Sequence, residues 1–148
     1  MTKSSILPVE FLSKIVREDI ILHLGDLISL EVLNFLDGLC RLEAIKGNCD
    51  LSDVRRALPA RKVVEIDGRK IGLIHGRGAA AETLRSVKAE FQGKVDVALF
   101  GHTHLPHYEK DGGTVFFNPG SLCNGRGKSN TYGILHLDDK PWGELIEI

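Results

Sequence analysis

Strand-like apolar runs in this chain end four times in the same way, in a glycine beside a residue whose side chain carries a ligand oxygen or nitrogen. The exits are Gly25-Asp26, Gly47-Asn48, His75-Gly76 and Gly101-His102-Thr103-His104. No other feature constrains the fold as strongly. Glycine permits a sharp departure from a strand, and in α/β sheets the loops beyond the strand ends converge on one crevice. A chain with these exits is expected to gather a carboxylate, an amide oxygen and three imidazoles in one place.

The pattern around the exits supplies the architecture. Pro8 to Arg17 predicts a helix, with proline suited to its first position and Phe11, Leu12, Ile15 and Val16 on one face. "DIILHLGD" predicts a short buried strand closed by Gly-Asp. "LEVLNFLDGL" predicts a helix with Gly38 as its C-cap, and "RLEAIKGNCD" a strand ending in a polar Gly-Asn turn. "RKVVEIDGRKIGLIHG" holds two β-rich runs around Asp67-Gly68, a dipeptide suited to a tight hairpin. Ala79 to Phe91 is helical by the spacing of Leu84, Val87, Lys88 and Phe91. "KVDVALFGHTH" is a strand running into a polar turn, and "HYEKDGGTVFFNPGS" a second hairpin around Asp111-Gly112-Gly113. "TYGILHLD" and "WGELIEI" predict two closing strands. Helices alternate with strands early and hairpins dominate late. The expected fold is therefore mixed α/β (α+β), with two packed β-sheets flanked by helices.

With 148 residues the chain is read as a single domain, 1–148, without repeats or linkers. Its 19 basic and 20 acidic residues give a net charge of −1, which offers no basic stripe for general nucleic-acid binding. No apolar run is long enough to span a bilayer, and the first residues lack the pattern of a signal peptide. Cys40, Cys49 and Cys123 form no CxxC pair and are read as reduced thiols of a cytoplasmic protein.

Each exit has a plainer explanation when taken alone. Asp26 after a glycine reads as a helix N-cap; Asn48 tolerates turn backbone; His75 reads as a hydrogen-bonded core histidine. His102 and His104, one residue apart, would share one face if they lay on a strand. The set, at the ends of successive strands, points to a metal site. Its mixed oxygen and nitrogen donors suit manganese, zinc, iron, nickel or cobalt rather than a thiolate-rich zinc centre. His23 reads as a buried or supporting group, and His107 and His136 as partly exposed hairpin residues. Cys49 either faces the crevice or is an inert buried thiol. Asn118 and Ser121, in "NPGS", are candidates for supporting the ligands from behind. Arg126, in "NGRGKSN", either grips a phosphate or is a solvated loop charge.

The motifs "GD", "GNCD", "HG", "GHTH" and "NPGS", in this order, resemble those of the calcineurin-like metallophosphoesterases, and most closely the small prokaryotic phosphodiesterases. The likeness runs from about Leu7 to the end of the chain. It implies a four-layer sandwich and a dinuclear centre. Asp26 is similar to the bridging carboxylate; Asn48, His75 and His102 resemble the other ligands of one metal, and His104 a ligand of the second. Two cations about 3.5–4 Å apart can share an activated hydroxide and clamp an in-line displacement. The resemblance thus implies a metal-dependent phosphoesterase acting on phosphodiesters, with manganese the first choice of ion and one or two ions bound. Asp26, Asn48 and Cys49 would be the catalytic residues. Cys49 stands where the family usually has a histidine that assists the leaving group, so an activated ester is the easier substrate.

The family also begins with a strand ending in Asp-x-His, which completes the second metal site. "MTKSSILP" contains neither histidine nor carboxylate, so the first strand and half of the dinuclear set are expected to be missing from the sheet. Asp26, Asn48, His75 and His102 could hold one ion, whereas His104 would have only Asp26 beside it. A non-catalytic protein-interaction module on the same scaffold is the alternative, with the related eukaryotic retromer subunit as precedent. An open edge beside the Asp26 strand would invite pairing with a second copy, so a homodimer is a secondary expectation.

Overall fold

The computed structural model describes residues 8–26, 29–122 and 129–148. In order they form α1 (Val9–Leu12), β1 (Ile20–His23), α2 (Leu30–Asp37), β2 (Arg41–Ala44), α3 (Ser52–Ala57), β3 (Arg61–Ile66) and β4 (Arg69–Ile74). Then follow α4 (Ala80–Phe91), β5 (Val97–Phe100), β6 (His107–Asp111), β7 (Thr114–Asn118), β8 (Thr131–His136) and β9 (Trp142–Glu147). A five-stranded sheet has the order β3-β4-β5-β7-β6, while β1-β2 and β8-β9 form two-stranded pieces.

Strand alternation sorts the apolar side chains into layers. From β4, β5 and β7, the side chains of Ile71, Leu73, Val97, Leu99, Val115 and Phe117 share one core with Leu22, Leu24 and Ile45 from the β1-β2 side and Leu135 from β8. The intervening residues Ala98, Phe100 and Phe116 face Val87 and Phe91 of α4. Beyond β1-β2, Val32 and Leu36 of α2 cover Ile21, Leu42 and Ala44. The result is helix, sheet, sheet and helix, the expected two packed sheets flanked by helices.

Both expected hairpins form. Asp67 (φ 50°) and Gly68 (φ 76°) give the positive φ pair of a tight two-residue turn between β3 and β4. The Asp111–Thr114 turn joins β6 to β7. Because β4, β5 and β7 run parallel, both turns lie at the end of the sheet opposite to the exits of β4 and β5.

Three local expectations need correction. The first helix is a single turn, Val9–Leu12, with Pro8 as its N-cap rather than its first residue. Ser13 turns its hydroxyl back to the Glu10 carbonyl, and Val9 and Val16 remain exposed, so little burial supports a longer helix. The short α3 helix arises where the sequence pattern predicts none. Finally, β1 is half-buried along its whole length rather than buried. Residues 1–7, which carry most of the expected front segment, lie outside the described residues.

Candidate metal centre

The exits of β1 and β2 meet first. Gly25 (φ 102°) and Asp26 (φ 62°) both take left-handed backbone, and Asp26 Oδ1 accepts the Cys49 amide at 2.8 Å. The helix-cap role that Asp26 would have alone goes instead to Ser29, whose hydroxyl accepts the Val32 amide of α2 at 3.4 Å. Gly47 allows the close approach, since a Cβ there would lie 2.5 Å from the Asp26 amide nitrogen. Asp50, 6% exposed, completes the contact. Its Oδ2 accepts the Gly47 amide at 2.7 Å and the Asp26 amide at 3.1 Å.

His75 enters from the end of β4 and is buried at 7% exposure. Its Nδ1 donates to the Leu24 carbonyl at 2.7 Å; a carbonyl only accepts, so Nδ1 holds the proton and Nε2 faces the site. That Nε2 lies 2.8 Å from Asn48 Oδ1, 3.3 Å from Asp26 Oδ2 and 3.4 Å from His102 Nδ1. His102 Nδ1 is in turn 3.3 Å from Asn48 Oδ1. Neighbouring ligands around an ion with bonds of about 2.1 Å are separated by roughly 3.0–3.4 Å, so these atoms have the spacing of one face of a coordination shell. Among the described residues, no three His, Cys, Asp or Glu side chains close such a set by themselves. The Asn48 amide oxygen lies 2.8 and 3.3 Å from the two imidazoles.

Asp26 and His75 set each other's charge. Burial disfavours the Asp26 carboxylate, yet the hydrogen bonds from His75 and the Cys49 amide outweigh it and hold the carboxyl below its ordinary range. Burial likewise disfavours protonated His75, but its bonds to Asp26 and the Leu24 carbonyl hold the imidazole above its usual value. His104 Nε2 lies 3.9 Å from the same Asp26 Oδ2. One oxygen of Asp26 is therefore tied to the backbone, and the other faces both His75 and His104.

His102 and His104 do not share a strand face, as their spacing suggested. Both lie beyond β5 in a turn with left-handed backbone (φ 68° and 61°), an arrangement that costs of order 1 kcal/mol per non-glycine residue. Buried Asn118 holds that turn, donating from Nδ2 to the Gly101 carbonyl at 3.1 Å and Thr103 Oγ1 at 3.0 Å. Its Oδ1 accepts the Gly120 amide at 3.0 Å. The Ser121 carbonyl accepts the Thr131 amide, anchoring the same segment to β8. Thr83 of α4 does similar work behind His75. Its hydroxyl donates to the Arg77 carbonyl at 2.6 Å, and its methyl would meet a Cβ on Gly76 at 2.5 Å.

The remaining candidates sort cleanly. Burial pushes the His23 imidazole down to about 4 against the pull of Asp50 and Asp26, so it is neutral and its Nδ1 accepts the Gly25 amide at 3.2 Å. His107 and His136 sit on hairpin strands beside Glu109 and Glu144 at 3.7 and 2.9 Å, away from the ligand set. Cys49 is exposed, which removes the buried-thiol reading. Arg126 and Cys123 lie outside the described residues. Asp50 was marked in the sequence only as the last residue of "GNCD", with no role of its own, and Thr83 was not marked. The acidic residue two places after Asn48 was the available signal for the first; a threonine near the start of an alanine-rich helix is too common a pattern to have revealed the second.

Known proteins share this chain's sequence pattern and fold. The profile of the calcineurin-like phosphoesterase superfamily domain matches residues 3–140. A probable metallophosphoesterase of Methanocaldococcus jannaschii is 34% identical over 145 residues, covering 96% of this chain and 73% of that protein. A phosphodiesterase of the same organism is 28% identical over 138 residues, covering 85% and 81%. Among solved structures, Vps29 of Entamoeba histolytica complexed with zinc superimposes with a TM-score of 0.74 at 26% identity, over 95% of this chain and 89% of that one. No helix among the described residues is long and apolar enough to cross a membrane.

Proposed function

The chain belongs to the calcineurin-like phosphoesterase superfamily, and from that premise we propose that it is a metal-dependent phosphoesterase acting on phosphodiesters. The observation that carries this reading is the triangle of Asn48 Oδ1, His75 Nε2 and His102 Nδ1, with Asp26 Oδ2 at 3.3 Å from its His75 corner. A divalent ion, manganese first and zinc, iron, nickel or cobalt as alternatives, would be held by these four side chains. Bound there, it supplies Lewis acidity toward a phosphoryl oxygen and makes an attacking water acidic near neutral pH.

The chain's own residues do the rest. The Leu24 carbonyl keeps the proton of His75 on Nδ1 and so leaves Nε2 free to donate its lone pair. The Cys49 amide fixes Oδ1 of Asp26 and aims Oδ2 between His75 and His104. A second ion on that oxygen would have His104 as its other ligand from the described residues, a poorer set than the first, and turnover would be reduced accordingly. Exposed Cys49 stands beside Asn48 on the open side, where an alcohol of low pKa leaves without needing a proton.

Hydrolysis of bis(p-nitrophenyl) phosphate with added manganese, with and without chelator, tests this reading. Manganese-dependent turnover lost in His75→Ala is the expected result. Metal uptake without any turnover would instead favour a non-catalytic interaction module, a reading supported by the likeness to Vps29.

A further inference from the structure

The contact between the β1 and β2 exits is reciprocal. Asp26, from the first loop, accepts a backbone amide of the second through Cys49. Asp50, from the second loop, accepts the backbone amide of Asp26 in return, and the Asp26 and Gly47 amides converge on a single oxygen, Oδ2. Only one end of this clasp is a candidate ligand. Asp50 is buried behind the site and these two bonds go to main chain, while Asp26 is the residue whose backbone is left-handed at φ 62°. A non-glycine residue in that conformation persists only where its surroundings over-determine it.

We propose that Asp50 is the positioning residue of the metal centre: its Oδ2 holds the Gly47 and Asp26 amides together, fixes the left-handed backbone at Asp26, and thereby aims the Asp26 carboxylate at the imidazoles. The inference rests on the metal-site reading above and adds a second role for a carboxylate in that site. The Gly47 and Asp26 amides share one oxygen of Asp50, so the two bonds can be replaced together. An asparagine at this position can present its carbonyl oxygen to the same two amides without the negative charge, whereas alanine presents nothing.

The experiment compares wild type, Asp50→Asn and Asp50→Ala. Cobalt(II) affinity and the cobalt d–d spectrum are measured, together with hydrogen exchange of the Asp26 amide in metal-free protein and circular dichroism to verify folding. Asp50→Ala is expected to bind cobalt about 10–100-fold more weakly, with an altered spectrum, as removal of a group that orients a ligand does. Its Asp26 amide exchanges faster, and Asp50→Asn restores affinity to within a few-fold of wild type along with protection of that amide. Wild-type affinity and unchanged Asp26 protection in Asp50→Ala overturn the proposal. So does an Asp50→Asn protein as weak as Asp50→Ala, which would assign the role to something other than the two bonds on Oδ2. If wild type takes up no cobalt, the metal reading itself falls, and the Asp26 exchange rates still decide the clasp: equal protection in all three proteins rejects it.

Discussion

The two sheets meet at the candidate centre with different constructions. In the five-stranded sheet, β5 and β7 are buried at every residue, and α4 seals the face away from the other strands. In the β1-β2 pair, β1 is half-buried throughout. The larger sheet delivers the nitrogen donors His75, His102 and His104; the smaller pair delivers the oxygen donors Asp26 and Asn48. The first group stands on well-packed strands, with Asn118 and Thr83 bonding its turns from behind. The second depends on backbone amides caught by carboxylates, because half-buried strands offer less packing against which to lock a loop. A mixed donor set is thus assembled from one rigidly packed half and one polar, clasped half.

The largest effect that would test this contrast is a pair of core truncations. Phe116→Ala, fully buried beneath α4, should cost about 3–5 kcal/mol in urea unfolding, while Ile21→Ala, half-buried under α2, should cost about 1–2 kcal/mol. Equal losses would break the comparison. Next comes pH. With the folded His23 imidazole pushed down to about 4 from an ordinary 6.5, the unfolded chain takes up its proton first. Stability is therefore unaffected above pH 6.5 and falls as pH drops toward 4, by about 3 kcal/mol. Thermal melts across that window should show the decline in wild type and a shallower one in His23→Gln; parallel curves would remove the buried neutral imidazole from the clasped half. Smallest is a contrast in metal binding. His75→Ala should lose about 100-fold in affinity, equivalent to about 2.7 kcal/mol, and His104→Ala about tenfold or less. Equal losses in titration calorimetry would count against one dominant donor set.

Much of this was legible in the sequence, and the gaps have physical reasons. The strands and hairpins follow from residue pattern and from Asp67-Gly68 and Asp111-Gly112-Gly113, where local chemistry dictates the turn. The proposed donors stood out because glycine beside a residue with a ligand atom is a local signal repeated at each strand exit. The manner in which they are aimed was not legible. One-residue spacing suggested a common strand face for His102 and His104, whereas left-handed backbone in a turn orients them, and that turn is held by Asn118 from a different strand. Asp50 and Thr83 act through main-chain amides and carbonyls brought close only by the fold, so the sequence could mark Asp50 within "GNCD" but not say what it holds. The first helix shortened for a related reason: its apolar residues form a face by periodicity, but too little of the protein covers them.

The hairpin tips offer a practical handle. Asp67-Gly68 lies at the end of the sheet remote from the donors, and open space surrounds Gly68 where a Cβ would stand. A fluorophore, an affinity tag or a short grafted peptide inserted between those two residues would report on or immobilise the protein from the far pole, leaving the end with the proposed metal site facing solution.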